Sequence, residues 1–229
     1  MTTEATKNRR STSELFEAGL GGDQGPVGGF QKRVLDIIVA ALALILLLPL
    51  LVIIAVLVLV TMGRPVFFTH ERISFSGKRF NCYKFRTMVK DSDSVLLRHL
   101  ETNNEAAAEW RHTQKLRNDP RTTRLGQILR KLSIDELPQL LNVLRGEMSC
   151  VGPRPVMEEE LSRYGSGAAQ YLMARPGITG PWQVSGRNGL SYEERVALDV
   201  EYVQDWSMMR DIQLLIKTIP AVFRINETT

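Results

Sequence analysis

A long run of apolar residues near the N-terminus constrains this chain more than any other feature. Residues 37–60 carry no charged side chain and are numerous enough to cross a bilayer as one helix. Basic residues flank the run on both sides, with Lys32 and Arg33 before it and Arg64 after it, whereas a spanning helix has them mainly on its cytoplasmic side. Pro49, near the midpoint, removes a backbone hydrogen bond and bends the helix. We therefore expect a re-entrant helical hairpin, broken at Pro49, with both ends in the cytoplasm; a kinked spanning helix is the alternative.

The sequence divides into three parts around this run. Residues 1–29 are polar and rich in glycine, which predicts a disordered tail. Residues 30–64 form the anchor, and residues 65–229 are numerous enough for one membrane-associated cytoplasmic domain with its own core. The apolar run begins too far from the N-terminus for a cleaved secretory signal, so we expect the anchor to be retained.

Charge and cysteine content exclude some classes of protein. The formal net charge of +4 suits an anionic partner, such as a membrane surface, a nucleotide or a nucleic acid, without choosing among them. Cys82 and Cys150 give neither a disulfide framework nor a metal-ligand spacing, which is typical of a reducing compartment. The three histidines form no zinc motif.

Two strand-like runs around a Ser-Gly pair predict a β-hairpin within residues 65–89. Side chains alternate between the two faces of a strand, so Lys84 and Arg86 are expected on one face, with Tyr83 and Phe85 on the other. Two neighbouring cations suit a phosphate, although a solvated outer face explains the same pattern.

Two short amphipathic helices follow, and a pair of carboxylates lies between them. Leucine and isoleucine recur at helical spacing through residues 125–132 and again through 137–144, where Gly146 ends the second helix. Asp135 and Glu136 stand at the start of that second helix. One explanation is structural: Ser133 and Glu136 have the spacing of a capping box at the start of the helix. Alternatively, Asp135 itself caps the helix.

The other explanation for Asp135 and Glu136 is catalytic. Arg130 lies just upstream, and Arg154 lies on a prolyl turn after the second helix. A carboxylate can act as a nucleophile toward a phosphoryl group, and a second one can bind a Mg²⁺ ion that bridges phosphate oxygens. These residue types next to a membrane anchor are consistent with phosphoryl transfer.

The remainder of the chain is predicted to be loop and helix. Residues 175–189 contain too many glycines and prolines for a regular element and are expected to form a functional or surface loop. Helical spacing returns through residues 191–206, and an apolar-rich helix ends the chain, either flat on the bilayer interface or capping the core. The predicted fold class is α+β, mostly helical, with a short β-hairpin.

Four stretches resemble a known family: "KFRTM", "NDPRTTRLGQILRKLSIDELPQLLNVLRGEMSCVGPRPV", "RPGITGPWQVSGR" and "LDVEYVQDWSMMRDIQLLIKT". They are similar to the bacterial sugar transferases, the monotopic polyprenyl-phosphate phosphoglycosyl transferases. The likeness covers residues 31 to 218. The sequence resembles the compact members of the family, such as those that initiate exopolysaccharide repeat units in rhizobia. These compact members lack the additional N-terminal membrane domain of larger members.

The resemblance implies a reaction and its site. A UDP-sugar, with a hexose such as galactose or glucose, donates its sugar phosphate to undecaprenyl phosphate at the cytoplasmic face of the bacterial inner membrane, and UMP is released. The resemblance implies that Asp135 is the nucleophile, which forms a covalent phosphosugar intermediate, and that Glu136 binds the Mg²⁺ cofactor. It implies phosphate or substrate binding for Lys84, Arg86, Arg130, Arg154 and Arg175. Inner-membrane lipids are implied as partners, and nucleic acid is not.

The sequence departs from the family pattern at two positions. His70 stands where members often have glutamine, and Leu48 precedes Pro49 where some members have serine.

A second hypothesis is a membrane-docked basic protein that binds anionic lipid or nucleic acid without catalysis. Under that hypothesis Asp135 and Glu136 act only as helix caps.

Overall fold

The computed structural model describes residues 25–113, 116–185 and 189–223. The helices are α1 Gly29–Met62, α2 Ser92–Thr102, α3 Asn104–Thr113, α4 Arg124–Lys131, α5 Gln139–Arg145, α6 Glu158–Leu161, α7 Ala168–Leu172, α8 Pro181–Val184, α9 Tyr192–Gln204 and α10 Met208–Phe223. The strands are β1 Phe67–Ile73, β2 Arg79–Phe85, β3 Ser149–Val151 and β4 Gly177–Thr179. Three short 3₁₀ turns lie at Phe75–Gly77, Ile134–Glu136 and Ser162–Gly167. The predicted α+β fold, mostly helical with a short antiparallel hairpin, is confirmed.

The end of the predicted N-terminal tail belongs to the folded structure. The backbone N–H of Val27 donates to the carbonyl of Met173 at 2.9 Å, and the Val27 side chain packs against the core. Residues 1–24, to which the rest of that prediction applies, lie outside the described residues.

The apolar run forms one continuous helix, α1, of 34 residues with Pro49 inside it. The predicted division into two helices at Pro49 is therefore not confirmed. Side chains through the middle of α1 are largely exposed, Leu46 at 79% and Ile45 at 72%. The helix is long and apolar enough to cross a membrane, and only 11% of its most apolar window is buried in the protein.

The N-terminal part of α1 is held to the domain by buried polar groups. Lys32 Nζ donates to Asp211 Oδ2 on α10 at 2.6 Å, and neither side chain is more than 5% exposed. Tyr202 and Trp206 donate to the same carboxylate at 2.6 and 3.1 Å. One turn further on, Asp36 Oδ1 accepts from the hydroxyl and backbone groups that begin β3, Ser149 Oγ and Cys150 N–H, both at 2.9 Å.

The C-terminal part of α1 is held to the same domain. Ile54 and Val58 are buried against Phe85 of β2 and Leu129 of α4. Beyond them, Arg86 donates to carbonyl oxygens at the end of the helix, those of Met62, Gly63 and Arg64. Both ends of the apolar helix therefore contact one domain, while its middle does not.

Strands β1 and β2 form the predicted hairpin, with Phe67 opposite Phe85 and Ile73 opposite Arg79. The turn needs left-handed backbone at Ser76 and Gly77, with φ of 60° and 76°, which glycine adopts freely. Strand β2 ends at Phe85, and the backbone N–H of Arg86 donates to the carbonyl of Val66 at 2.9 Å. The shared face of Lys84 and Arg86 stays a prediction.

A parallel pair of strands, β3 and β4, forms where a loop was expected. Ser149 pairs with Gly177 and Val151 with Thr179. The backbones approach so closely that a Cβ on Gly177 would lie 2.1 Å from the Gly152 nitrogen, which only glycine permits. The glycines that argued against regular structure are thus what lets β4 pair, and residues 186–188 of the same segment lie outside the described residues.

Helix α10 packs against the domain on one side and exposes apolar side chains on the other; its position on the bilayer stays a prediction. Leu214 and Ala221 are buried against the domain. On the opposite side a stripe of apolar side chains is exposed: Met209, Ile212, Ile216 and Ile219.

The buried ion pair at the start of α1 makes a prediction for stability. Asp211→Asn should lower the free energy of unfolding by about 3–5 kcal/mol, because it leaves the Lys32 ammonium buried without its counter-charge. Equilibrium denaturation in detergent micelles measures this loss. The matched control is Arg210→Gln, which breaks the neighbouring, more exposed pair with Glu201 and should cost ~0–1 kcal/mol. Equal losses in the two variants would contradict the prediction.

Candidate active site

Asp135 lies in a tight turn between α4 and α5. Ser133 adopts left-handed backbone with φ of 54°, an uncommon conformation for a residue with a Cβ. The 3₁₀ turn Ile134–Glu136 then places the Asp135 side chain inside the protein, where the residue is 7% exposed. Strained backbone that positions a buried charge is typical of functional sites.

The capping explanation for this segment is wrong. Ser133 makes no side-chain cap hydrogen bond, and α5 begins after Pro138, which has no side-chain acceptor to cap it. The basic binding protein considered above required Asp135 and Glu136 to be caps, so that hypothesis loses its premise.

The surroundings of Asp135 make its carboxylate unusually basic. Burial and, after it, the adjacent charge of Glu136 raise its pKa to about 6, while Lys84 and Arg130 act in the opposite direction. A carboxylate with a pKa of about 6 is deprotonated at neutral pH yet is a better nucleophile than an exposed aspartate.

Lys84 of β2 pairs with Glu136. Its Nζ lies 2.5 Å from Glu136 Oε1, and the two side chains are 27% and 35% exposed. The hairpin therefore contributes a cation to the carboxylate pair. Among the described residues no ion pair to Asp135 is present.

Arg130, in the last turn of α4, points into the same site. Its Nε donates to Thr87 Oγ1 at 2.9 Å and its Nη1 to Thr122 Oγ1 at 3.3 Å. Both acceptors are neutral hydroxyls, so the positive charge of Arg130 is oriented without being cancelled by these bonds. Gly126 permits this arrangement, since a Cβ there would lie 2.1 Å from the Thr87 carbonyl oxygen.

Two of the predicted phosphate-binding arginines bond to backbone carbonyls instead. Arg86 is 6% exposed and donates to the carbonyls at the end of α1. Arg175 donates through Nε to the carbonyl of Gly146, just after α5, at 2.8 Å. Carbonyls at helix ends lack intrahelical partners, so these two arginines stabilise the framework around the site. Phosphate binding by either stays a prediction.

Arg154 lies over the ring of Trp182, 5.7 Å from its centroid. A place for Arg154 beside the carboxylates stays a prediction.

Sequence reasoning did not connect two residues of β1, His70 and Arg72, with Lys84. Burial lowers the pKa of His70, and the charges of Arg72 and Lys84 lower it further. The signal that could have found this relation is the period of two, since His70 and Arg72 are two apart and share a strand face.

The carboxylates Asp135 and Glu136 fit Mg²⁺ by the chemistry of their hard oxygen donors. The described residues contain no cluster of three or more metal-ligating side chains. Mg²⁺ typically takes one or two carboxylates and completes its shell with water and substrate phosphates, so the pair is sufficient only when a phosphate is bound.

Comparison with known proteins decides the family. The family model described as bacterial sugar transferase matches residues 27–225. The chain belongs to this family.

Individual relatives agree with that assignment. The exopolysaccharide production protein ExoY of Rhizobium meliloti is 52% identical over 93% of this chain and 95% of its own length. The undecaprenyl-phosphate galactose phosphotransferase of Salmonella typhimurium is 48% identical over 85% of this chain and 41% of its own length. The UDP-glucose:undecaprenyl-phosphate glucose-1-phosphate transferase of Caulobacter vibrioides is 39% identical, with shares of 84% and 69%. The chain is a phosphoglycosyl transferase.

The transferase should lose activity in acid as Asp135 becomes protonated, and Lys84 should set where that loss occurs. Because the charge of Lys84 lowers the pKa of Asp135, Lys84→Met should move the acidic limb of the pH–rate profile to higher pH. The measurement is the rate between pH 5 and 8, with Lys78→Met, an exposed lysine in the hairpin turn, as the control. A limb that stays in place in Lys84→Met would contradict the assignment of this limb to Asp135.

Proposed function

We propose that this sugar transferase moves a hexose 1-phosphate, such as that of galactose or glucose, from a UDP-sugar to undecaprenyl phosphate, and that it releases UMP. The observation that carries the proposal is a buried Asp135 of raised pKa beside Lys84, Arg130 and a second carboxylate. Relatives whose names state transfer of galactose or glucose phosphate to undecaprenyl phosphate support the same substrates. The likeness to ExoY supports a role as the first membrane step of exopolysaccharide assembly.

Asp135 acts as the nucleophile in this proposal. A carboxylate oxygen forms a bond to the phosphorus that carries the sugar, and the bond from that phosphorus to the bridging oxygen breaks, so UMP leaves with the electron pair. An oxygen of undecaprenyl phosphate then attacks the same phosphorus and displaces Asp135. The free carboxylate is regenerated, and the product is undecaprenyl-diphospho-sugar.

Lys84 and Arg130 stabilise the charge of the phosphoryl oxygens during both displacements. Phosphoryl transfer depends chiefly on positioning and on such charge stabilisation. The hydroxyl groups that hold the Arg130 guanidinium fix its direction before substrate arrives. Lys84 also offsets Glu136, which lessens repulsion between that carboxylate and an approaching phosphate.

Glu136 would hold the Mg²⁺ cofactor. The ion, when bound, would neutralise phosphate oxygens and make the phosphorus more electrophilic. Glu136 is suited to this task because it is one-third exposed and adjacent to the nucleophile.

The membrane part of the proposal is a re-entrant α1 at the cytoplasmic face of the inner membrane. Support comes from the contacts of the helix: its first turns bind α5, β3 and α10, and its last turns bind β2 and α4. Pro49 and the exposed apolar middle of α1 would then lie in one leaflet. The polyprenyl chain of the acceptor occupies the same apolar layer, with its phosphate at the surface where Asp135 works.

Asp135→Asn tests the chemistry. An amide is a poor nucleophile, so UMP release should fall at least ~1000-fold, while the variant should stay folded because a buried charge is removed. The assay measures UMP from a panel of UDP-sugars with and without undecaprenyl phosphate and Mg²⁺, using the full chain in detergent. Asp93→Asn at the exposed start of α2 is the control. Turnover by Asp135→Asn near the wild-type rate would disprove the nucleophile assignment, and wild-type protein that releases no UMP would refute the function.

Single cysteines test the topology. Gln31→Cys and Arg64→Cys place thiols at exposed positions before and after the apolar run, in a background in which Cys82 and Cys150 are replaced by alanine. A membrane-impermeant maleimide applied to sealed vesicles of known orientation should label both positions from the cytoplasmic side. Labelling from opposite sides would establish a spanning helix instead.

A further inference from the structure

Thr87, which follows Arg86 just after strand β2, is bonded to both ends of helix α4. Its carbonyl oxygen accepts from the backbone N–H and the hydroxyl of Thr123, at 3.1 and 3.3 Å. Thr123 is the residue that caps the start of α4. At the other end of the helix, Thr87 Oγ1 accepts from Nε of Arg130 at 2.9 Å. One residue therefore holds both the start of α4 and the arginine side chain of its last turn.

The position of Thr87 is itself fixed from several sides. The residue is buried, and Gly126 of α4 lies directly against its carbonyl oxygen. On one side of it in the chain, Arg86 donates to the carbonyls at the end of α1. On the other side, the backbone N–H of Val89 donates to the carbonyl of Arg121 at 2.9 Å. The Thr87 hydroxyl is thus a rigid acceptor for a side chain that would otherwise rotate freely.

The bonds to threonine leave part of the Arg130 guanidinium for a ligand. Nε, which has a single N–H, is bonded to Thr87, and Nη1 bonds to Thr122 Oγ1 at the longer distance of 3.3 Å. Among the described residues, Nη2 makes no hydrogen bond. Because Nε lies next to the branch point of the guanidinium, the bond to Thr87 restricts the plane of the group most strongly.

Arg130 is also joined through its backbone to the turn that carries the nucleophile. Its carbonyl oxygen accepts from the backbone N–H of Ser133 at 3.0 Å, two residues before Asp135. The direction of the Arg130 side chain is therefore set relative to the same short segment that places the Asp135 carboxylate.

We propose that Thr87 is a positioning residue for phosphoryl transfer, whose hydroxyl directs Nη2 of Arg130 toward the phosphate that Asp135 attacks. Because the acceptor is a neutral hydroxyl, the bond orients the guanidinium and leaves its charge for the phosphoryl oxygens. The inference rests on the proposed function, in which Arg130 stabilises those oxygens during both displacements.

Substitution of Thr87 tests the role of the hydroxyl. Thr87→Val removes the hydroxyl but keeps the branched shape, so kcat for UMP release should fall ~10- to 100-fold. Both KM values should stay within about twofold of the wild type, since the orientation matters in the transition state. Thr87→Ser keeps the hydroxyl and should restore kcat to within about threefold of the wild type. The matched control, Thr102→Val, removes an exposed hydroxyl that bonds only within α2 and should leave kcat unchanged.

A double-mutant cycle shows whether Thr87 acts through Arg130. Arg130→Met removes the guanidinium, and in that background Thr87→Val should lower kcat no further, because the two residues act as one unit. An equal fold-loss in both backgrounds would mean that Thr87 acts independently of Arg130, and that result overturns the proposal. If Thr87→Val does not fold, Thr87→Ala, which also lacks the hydroxyl, takes its place in the cycle.

A merely structural role for Thr87 gives a different pattern. It predicts a lower melting temperature of Thr87→Val with kcat unchanged for the folded protein, and this outcome overturns the proposal, as does a rise in KM alone. Wild-type turnover combined with an unaffected Thr87→Val enzyme refutes this inference and leaves the proposed function standing. Wild-type protein that releases no UMP refutes the proposed function and this inference with it.

Discussion

The attachment of both ends of one apolar helix to a single domain is the constraint on which the rest of this structure depends. At the N-terminal end the attachment is a buried ion pair, Lys32 with Asp211, which cannot open without leaving a charge in an apolar environment. At the other end Arg86 holds the terminal carbonyls of the helix. These polar bonds are directional, so they fix the orientation of the helix against the domain as well as holding it there. Apolar packing alone fixes that orientation less strictly.

The active site is positioned by that framework and depends on unequal treatment of two adjacent carboxylates. Lys84 pairs with Glu136, whereas Asp135 is buried in a strained turn and has no ion pair within the part of the chain that the structure describes. Adjacent like charges and burial both favour the protonated form of Asp135, so its pKa rises while Glu136 stays exposed enough to meet a cation. In the proposed function, one dipeptide therefore supplies both the nucleophile, Asp135, and the ligand for Mg²⁺, Glu136.

Basic residues near the site fall into two groups that their sequence motifs do not distinguish. Arg86 and Arg175 donate to carbonyls at helix ends and so compensate for backbone groups that helices leave unpaired. Arg130 instead donates to the neutral hydroxyls of Thr87 and Thr122. The difference arises from what lies opposite each guanidinium, and the positive charge of Arg130 acts on Asp135.

The sequence by itself determined the local features: the apolar run, the hairpin and the two short helices follow from periodicity, and adjacency alone places Asp135 beside Glu136. The position of Lys84 next to that pair and the parallel pairing of β3 with β4 were decided by tertiary structure. Both join residues 28 or more positions apart, so no local pattern encodes them. The capping interpretation was wrong for the same reason. The left-handed backbone of Ser133 is set by the packing of α4 and α5 and not by the conformational preference of serine.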